Sequence, residues 1–284
     1  MTRGIVIPIL ARYENILVHN IDNMFSRLGC KLPIELWQIG HEISIKASKT
    51  IIKLRDKYDI RFKNVRYLTD DFEHWRGWQI KAFALRHSDF DEVIICDCDI
   101  LFGINPEIIF KDENYIRTGT YFFRDYEYGY PTSDQDIKSR SQFIQKLIPE
   151  KNQYFPKEWE FIYDGNYEHP RDRWDYMEAG VVYINKARHK DVVETIFELN
   201  SNWQETYNYI YGDKETFWLA FVMHNVEFYM NPRAGHNYSI NLNMVKCPDR
   251  KGVLAHFYRN FFFFSQKGFP VLSRPERVYF SDPS

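Results

Sequence analysis

Two aspartates stand one residue apart in Glu92-Val-Ile-Ile-Cys-Asp-Cys-Asp-Ile-Leu-Phe102, at the end of an apolar run that a folded chain buries. Side-chain direction repeats every two residues in extended chain, so a strand here points Asp97 and Asp99 the same way. Two carboxylates so placed can share one hard divalent ion such as Mg²⁺ or Mn²⁺, which favours oxygen ligands. That ion can bridge the phosphates of a nucleotide and neutralise the charge on a departing diphosphate. Cys96 and Cys98 then fill the core on the opposite side. The plain alternative is a strand end finished with solvated acids. The apolar residues on both flanks, up to Cys96 and from Ile100 to Phe102, favour a site.

Other segments supply what such a site needs. Lys81, in "GWQIKAFALRHS" just before the strand, can reach a phosphate or the acidic pair. The turn Met177-Glu-Ala-Gly180 brings Glu178 to a strand start, with small residues that permit close approach of a ligand. In "YGDKETF", Tyr211 to Phe217, Asp213 and Glu215 sit at a helix start, where they either face a sugar hydroxyl or serve as an ordinary N-cap.

The elements that must position these residues follow from periodicity. Ile5 to Leu10 and Leu36 to Ile39 read as strands, with a helix from about Tyr13 to Leu28 between them. A helix over Gly77 to Ser88 leads into the strand Glu92 to Cys98, and Gly180 to Asn185 is a further strand. Val192, Val193, Ile196, Phe197 and Leu199 mark an amphipathic helix, and the helix from Asp213 is apolar nearly all round and therefore buried. Alternating strands and helices predict an α/β fold with a mostly parallel, twisted sheet covered on both sides. The stretch from Arg124 to Tyr176 lacks clean periodicity and reads as a surface excursion. Its Tyr126, Tyr128, Tyr130, Trp159, Tyr163 and Trp174 suit stacking on sugar rings, so it is expected to line the acceptor side of a cleft.

Composition narrows the function classes. The 284 residues are 44% hydrophobic and 18% aromatic, enough for one large core. We expect a single domain over residues 1–284, with a nucleotide-binding part over about 1–110 and the acceptor and sugar side over about 111–284. A formal net charge of -2 gives no field to attract nucleic acid. Cysteines without a CxxC spacing suggest a reducing compartment. No window approaches the roughly 20 apolar residues of a membrane span, and the opening "MTRGIVIPILARYEN" is too short in apolar residues for a secretory leader, so the expectation is a soluble, cytoplasmic protein.

The segment Gly77 to Phe110, taken with "MEAGVVYINKARH" and "YGDKETFWLAF", resembles the nucleotide-sugar-dependent glycosyltransferases of GT-A fold. It is most similar to the fungal-type α-mannosyltransferases of glycosyltransferase family 71, relatives of the glycogenin-like family, over roughly Ile5 to Met230. The resemblance implies a single GT-A (Rossmann-like) domain that uses Mn²⁺ or Mg²⁺ and a nucleotide-diphosphate sugar, with a glycan or glycoconjugate as acceptor. It implies that Asp97 contacts ribose and metal, Asp99 holds the metal, and Lys81 binds the donor near its phosphates. It also implies that Glu178 and Asp213 line the sugar and acceptor pocket with Glu215 nearby, and that His256 in "LAHFYRN" completes the metal site. Family likeness favours GDP-mannose and retention of configuration; a UDP-linked hexose or pentose is the alternative donor. A non-catalytic carbohydrate-binding protein is the alternative outside enzymes. A haloacid-dehalogenase-type phosphatase is disfavoured because Ile100-Leu101 follows the DxD, and a dinucleotide oxidoreductase because "ARYEN", with no GxGxxG, follows the first strand.

Overall fold

Strands that are apolar on both faces must lie inside a sheet covered on both sides, and this chain has several. A computed structural model of the protein describes residues 1–9, 14–40, 49, 52–125, 134–164, 176–234, 236–238, 253–258 and 260–265. In chain order the elements are β1 (Arg3–Pro8), α1 (Glu14–Asp22), β2 (Ile34–Gln38), β3 (Ile60–Asn64), α2 (Ile80–His87), β4 (Glu92–Cys96) and β5 (Ile100–Phe102). They continue with α3 (Glu113–Thr118), β6 (Thr120–Arg124), α4 (Asp134–Leu147), β7 (Met177–Asn185), α5 (Lys190–Ser201) and α6 (Lys214–Met223). The last are β8 (Met230–Ala234), β9 (His236–Tyr238), β10 (Val253–Tyr258) and β11 (Asn260–Ser265).

The main sheet has the order β3-β2-β1-β4-β7-β6-β8. Its first four strands are parallel, β7 is antiparallel to both β4 and β6, and β6 pairs with β8 in parallel. This is the mostly parallel α/β sheet that the sequence predicts. Alternation along the strands divides the interior in two. Val6, Val93, Ile95, Val182 and Ile184 enter one core with residues of α2, α5 and α6, whereas Ile5, Ile7, Ile94, Cys96, Val181 and Tyr183 enter the other with residues of α1. A second, antiparallel sheet in the order β5-β11-β10-β9 grows from the short strand that follows the DxD.

Three local expectations change. Strand β4 stops at Cys96, and Asp97 to Asp99 form a turn in which the Ile100 N–H reaches the Asp97 carbonyl at 3.2 Å. The two aspartates are therefore not successive same-side positions of one strand. Cys96 and Cys98 are nonetheless both buried in the same core. The helix expected over Tyr13 to Leu28 is α-helical to Asp22 and widens into a π-turn over Asn23–Arg27, where the buried Asn23 donates to the Phe102 carbonyl at 3.0 Å. The stretch after Arg124 is only partly an excursion: α4 buries Ile137, Ser141, Ile144 and, just past its end, Ile148, and Phe155, Trp159 and Ile162 join the same core. Among the described residues no helix is long and apolar enough to cross a membrane.

The turn from α3 into β6 rests on Gly119, which has φ +74° and donates its N–H to the Tyr115 carbonyl at 2.7 Å. A Cβ at that position lies 2.7 Å from His189 Nε2. We expect Gly119→Ala to lower the unfolding free energy by roughly 2 kcal/mol, from left-handed backbone strain and the clash together. Urea denaturation measures this, and a change under about 0.5 kcal/mol would show that the turn accepts a side chain.

Candidate active site

The helix of a β-α-β unit runs back along the sheet, so the first turn of α2 lies beyond the carboxyl end of β4. Lys81 stands in that turn and is only 5% exposed. A buried ammonium must be paired. Its Nζ donates to the Ala179 carbonyl at 2.9 Å and lies 3.2 Å from Asp97 Oδ1 and 2.9 Å from Asp213 Oδ2. One cation thus ties together the end of β4, the first residues of β7 and the start of α6. The antiparallel course of β7 makes this possible, because it brings the beginning of that strand to the end of β4. The Asp97 N–H donates to the Gly180 carbonyl at 2.9 Å, which extends the β4–β7 ladder into the DxD turn.

The carboxylates around Lys81 are not equivalent. Asp97 keeps 29% of its side chain exposed, whereas Asp99 is 2% exposed and Asp213 4%. Burial pushes the Asp213 carboxyl up to about 6; Lys81 opposes that rise and Asp97 adds to it. Asp213 Oδ2 is close enough to Lys81 for an ion pair, yet the approach makes no hydrogen bond, and this oxygen is buried without a hydrogen-bond partner. Burial also disfavours the Lys81 ammonium, but the charges of Asp213, Asp97 and Glu178 outweigh it and hold the lysine above its ordinary range. Lys81 is therefore a cation at neutral pH.

Asp213 occupies the N-cap position of α6 but makes no side-chain capping bond. Its carboxylate turns to Lys81 instead. Glu178 Oε1 accepts the Gly180 N–H at 2.6 Å, and a Cβ at Gly180 would lie 2.9 Å from that oxygen and 3.1 Å from Ile100 Cδ1. The space that Gly180 leaves is taken by Glu178 and Ile100 rather than held open for a ligand.

Glu215 is placed differently. Its Oε1 accepts the N–H groups of Tyr176 at 2.9 Å and Met177 at 3.3 Å, and its Oε2 accepts Trp218 Nε1–H. This 1% exposed carboxylate fastens the beginning of β7 to α6. His256 lies on β10 opposite Phe263, which in turn lies opposite Phe102, so its backbone is two strands from β5 and level with Phe102 rather than Asp99. Its side chain lies outside the described residues, as do Tyr126, Tyr128, Tyr130 and Trp174. Of the other expected acceptor aromatics, Trp159 is core, and Tyr163 packs against the core and donates from its hydroxyl to the Ile148 carbonyl at 2.8 Å.

The structure thus joins Lys81, Asp97 and Asp213 directly, sets Asp99 in the same turn and Glu178 beside them, and assigns Glu215 to a brace. Sequence reading missed Lys214 and Asp125, an ion pair of 2.5 Å between the first residue of α6 and the residue after β6. Lys214 sits in the "GDKET" string beside Asp213, but nothing in the spacing connects it with Asp125.

Removal of Lys81 leaves Asp213 buried without its counter-charge, so Lys81→Met should destabilise the fold by about 3 kcal/mol. Adding Asp213→Asn to that variant removes the stranded charge and should recover a large part of the loss. Denaturant melts of both variants test the coupling. Additive losses would show that the two side chains are energetically independent.

Comparison with known proteins bears on this geometry. The chain is 31% identical over 157 residues to the putative alpha-1,3-mannosyltransferase MNN12 of Candida albicans, a match covering 55% of this chain and 18% of that protein. It is 23% identical over 250 residues to the alpha-1,3-mannosyltransferase MNT2 of Saccharomyces cerevisiae, covering 78% of this chain and 42% of that one. The chain therefore spans less than half the length of these relatives. Among solved structures, core-mannan synthase A (CmsA/Ktr4) of Aspergillus fumigatus in its Mn/GDP form superposes with a TM-score of 0.53 at 9% identity, over 92% of this chain and 80% of that one. The fold is the GT-A fold of glycosyltransferases. The profile of the family described as "Mannosyltransferase putative" matches residues 2–240, and the chain belongs to that family.

Proposed function

We propose that this protein is a glycosyltransferase that moves mannose from GDP-mannose to a hydroxyl of a glycan, with retention and hence an α-linkage. The observation that carries the reading is the buried Lys81 clamp, which gathers carboxylates at the carboxyl end of β4 in a chain of a mannosyltransferase family. In open α/β sheets that end is where ligands bind. The relatives named above as alpha-1,3-mannosyltransferases, and the Mn/GDP form of core-mannan synthase A, support the choice of donor.

The residues present suit a divalent cation. Among the described residues no group of three or more His, Cys, Asp or Glu is gathered for a metal. Asp97 offers a partly exposed carboxylate, which suits a hard ion that takes one or two protein ligands and completes its shell with water and substrate phosphates, and Asp99 lies buried in the same turn. The buried, unbonded Oδ2 of Asp213 adds negative charge next to Asp97. When bound, Mn²⁺ or Mg²⁺ would stabilise the charge of the departing diphosphate.

The protein's own groups do the rest. Lys81 donates to the Ala179 carbonyl and stands within ion-pair distance of Asp97 and Asp213, so its part is to hold these acids in position before substrate arrives. Asp213 and Glu178 provide negative charge for the oxocarbenium-like carbon that develops as the sugar leaves the nucleotide. Asp213, held at low exposure by Lys81, is the donor-sugar contact. Glu178, half-buried on β7, stands nearer the reacting carbon or the acceptor hydroxyl.

A screen of GDP- and UDP-sugars for nucleotide release in the presence of α-mannosides tests the donor. With the active donor, Asp99→Ala should stay folded and lose turnover by about 10²-fold or more, the scale of losing a charge-stabilising group. EDTA should abolish the activity and Mn²⁺ restore it; turnover indifferent to chelation would exclude the metal role. Asp213→Asn and Glu178→Gln separate binding from chemistry. We expect GDP affinity within a few-fold of wild type and kcat lowered by about 10²-fold or more. Unchanged kcat in both variants would take these residues out of the mechanism.

A further inference from the structure

Trp78 and Tyr211 are large aromatic side chains left 48% and 59% exposed, and they lie side by side with ring centroids 5.3 Å apart and planes inclined at 41°. Both adjoin the acid cluster. The Trp78 carbonyl accepts the N–H of Lys81 at 3.2 Å, and Tyr211 is separated from Asp213 by Gly212 alone.

The pair is held in place. Gly212 has φ +65°, and a Cβ there would lie 2.8 Å from Trp78 Cε3, so the indole rests on glycine backbone where any side chain would displace it. On the other side Lys214 Nζ stands 4.9 Å above the Tyr211 ring and pairs with Asp125 at 2.5 Å. Apolar ring surface fixed in position, exposed to water and bordered by paired charges matches what a pyranose needs. Its C–H face packs on an aromatic ring. The expected acceptor aromatics do not provide this among the described residues, since Trp159 is buried in the core.

We propose that Trp78 and Tyr211 form the stacking platform for the acceptor saccharide. The proposal rests on the glycosyl-transfer reading of the adjoining cluster and places the acceptor on the side where α2 and α6 begin. The occupant is a saccharide, because exposed ring surface fixed in position suits the C–H face of a pyranose, and α-mannobiose is its probe.

Direct binding of α-mannobiose to the whole chain, followed by saturation-transfer NMR, tests the platform without requiring turnover. Trp78→Ala and Tyr211→Ala should each weaken binding by about tenfold, the scale of losing one aromatic stacking contact. Trp78→Phe, which keeps a ring, should regain most of the loss. In the transfer assay the same variants should raise the acceptor KM by a similar factor, with the Kd for GDP within about twofold of wild type. Wild type that does not bind mannobiose, or alanine variants that bind it as wild type does, would overturn the platform whatever the donor screen gives. Equal loss of GDP and mannobiose affinity would also overturn it, by making the pair part of the nucleotide site. A failed donor screen with ring-dependent mannobiose binding would instead refute the donor assignment and leave the platform standing.

Discussion

The arrangement depends on one buried ammonium. A lysine at 5% exposure is tolerable only if charge is brought to it, and the charge comes from two elements far apart in sequence, Asp97 after β4 and Asp213 before α6. The carbonyl of Ala179 completes its set of partners. Because loss of either acid strands the other charges in the interior, the relative positions of α2, β4, β7 and α6 are bound to a single electrostatic condition. Rigid placement of charge is also what a transfer reaction needs, since dipoles and ions set before substrate arrives need no reorganisation during the reaction.

The antiparallel strand β7 converts that condition into a site. In an all-parallel sheet the beginning of a neighbouring strand would lie at the far end of β4. Here Met177 to Gly180 reach the DxD turn, with the Asp97 N–H on the Gly180 carbonyl. The beginning of this strand pairs with β6, Met177 opposite Arg124 and Glu178 opposite Phe123, and Glu215 fastens it to α6 as well by accepting the N–H groups of Tyr176 and Met177 together with that of the Trp218 indole. Two acidic residues of "GDKETF" therefore divide the work: Asp213 serves the cluster, and Glu215 secures the strand that carries Glu178.

Much of this was legible in the sequence because burial on both faces leaves a plain mark. The runs IVIP, EVIIC and GVVYIN could only be central strands, and the all-apolar helix after Asp213 could only be interior. What periodicity could not show is pairing between distant elements. The side-chain alternation that made Asp97 and Asp99 equivalent fails because the strand ends before them, a matter of one backbone turn. The capping role open to Asp213 gave way to a lysine some 130 residues earlier in the chain, and helix-start statistics contain no information about it. The stretch after Arg124 did carry a helical signal, with Ile137, Ser141, Ile144 and Ile148 on one face. It was masked by the tyrosines and turn formers on either side, and the strand β6 just before it was hidden for the same reason.

The balance of charge within the cluster gives the final step. If Lys81 compensated its neighbours fully, a carboxylate beside it would be held below its ordinary range. Asp213 instead is pushed up to about 6, because burial and the repulsion of Asp97 together exceed the attraction of the lysine. The two acids beside Lys81 thus differ in setting: Asp213 is buried, and Asp97 is partly exposed. Under the proposed function, a cation at Asp97 would act in two ways. It would bind a carboxylate already positioned by Lys81, and its charge would relieve the repulsion that Asp97 exerts on Asp213. On that reading the clamp that ties α2, β4, β7 and α6 together also positions the acids that a cation would meet.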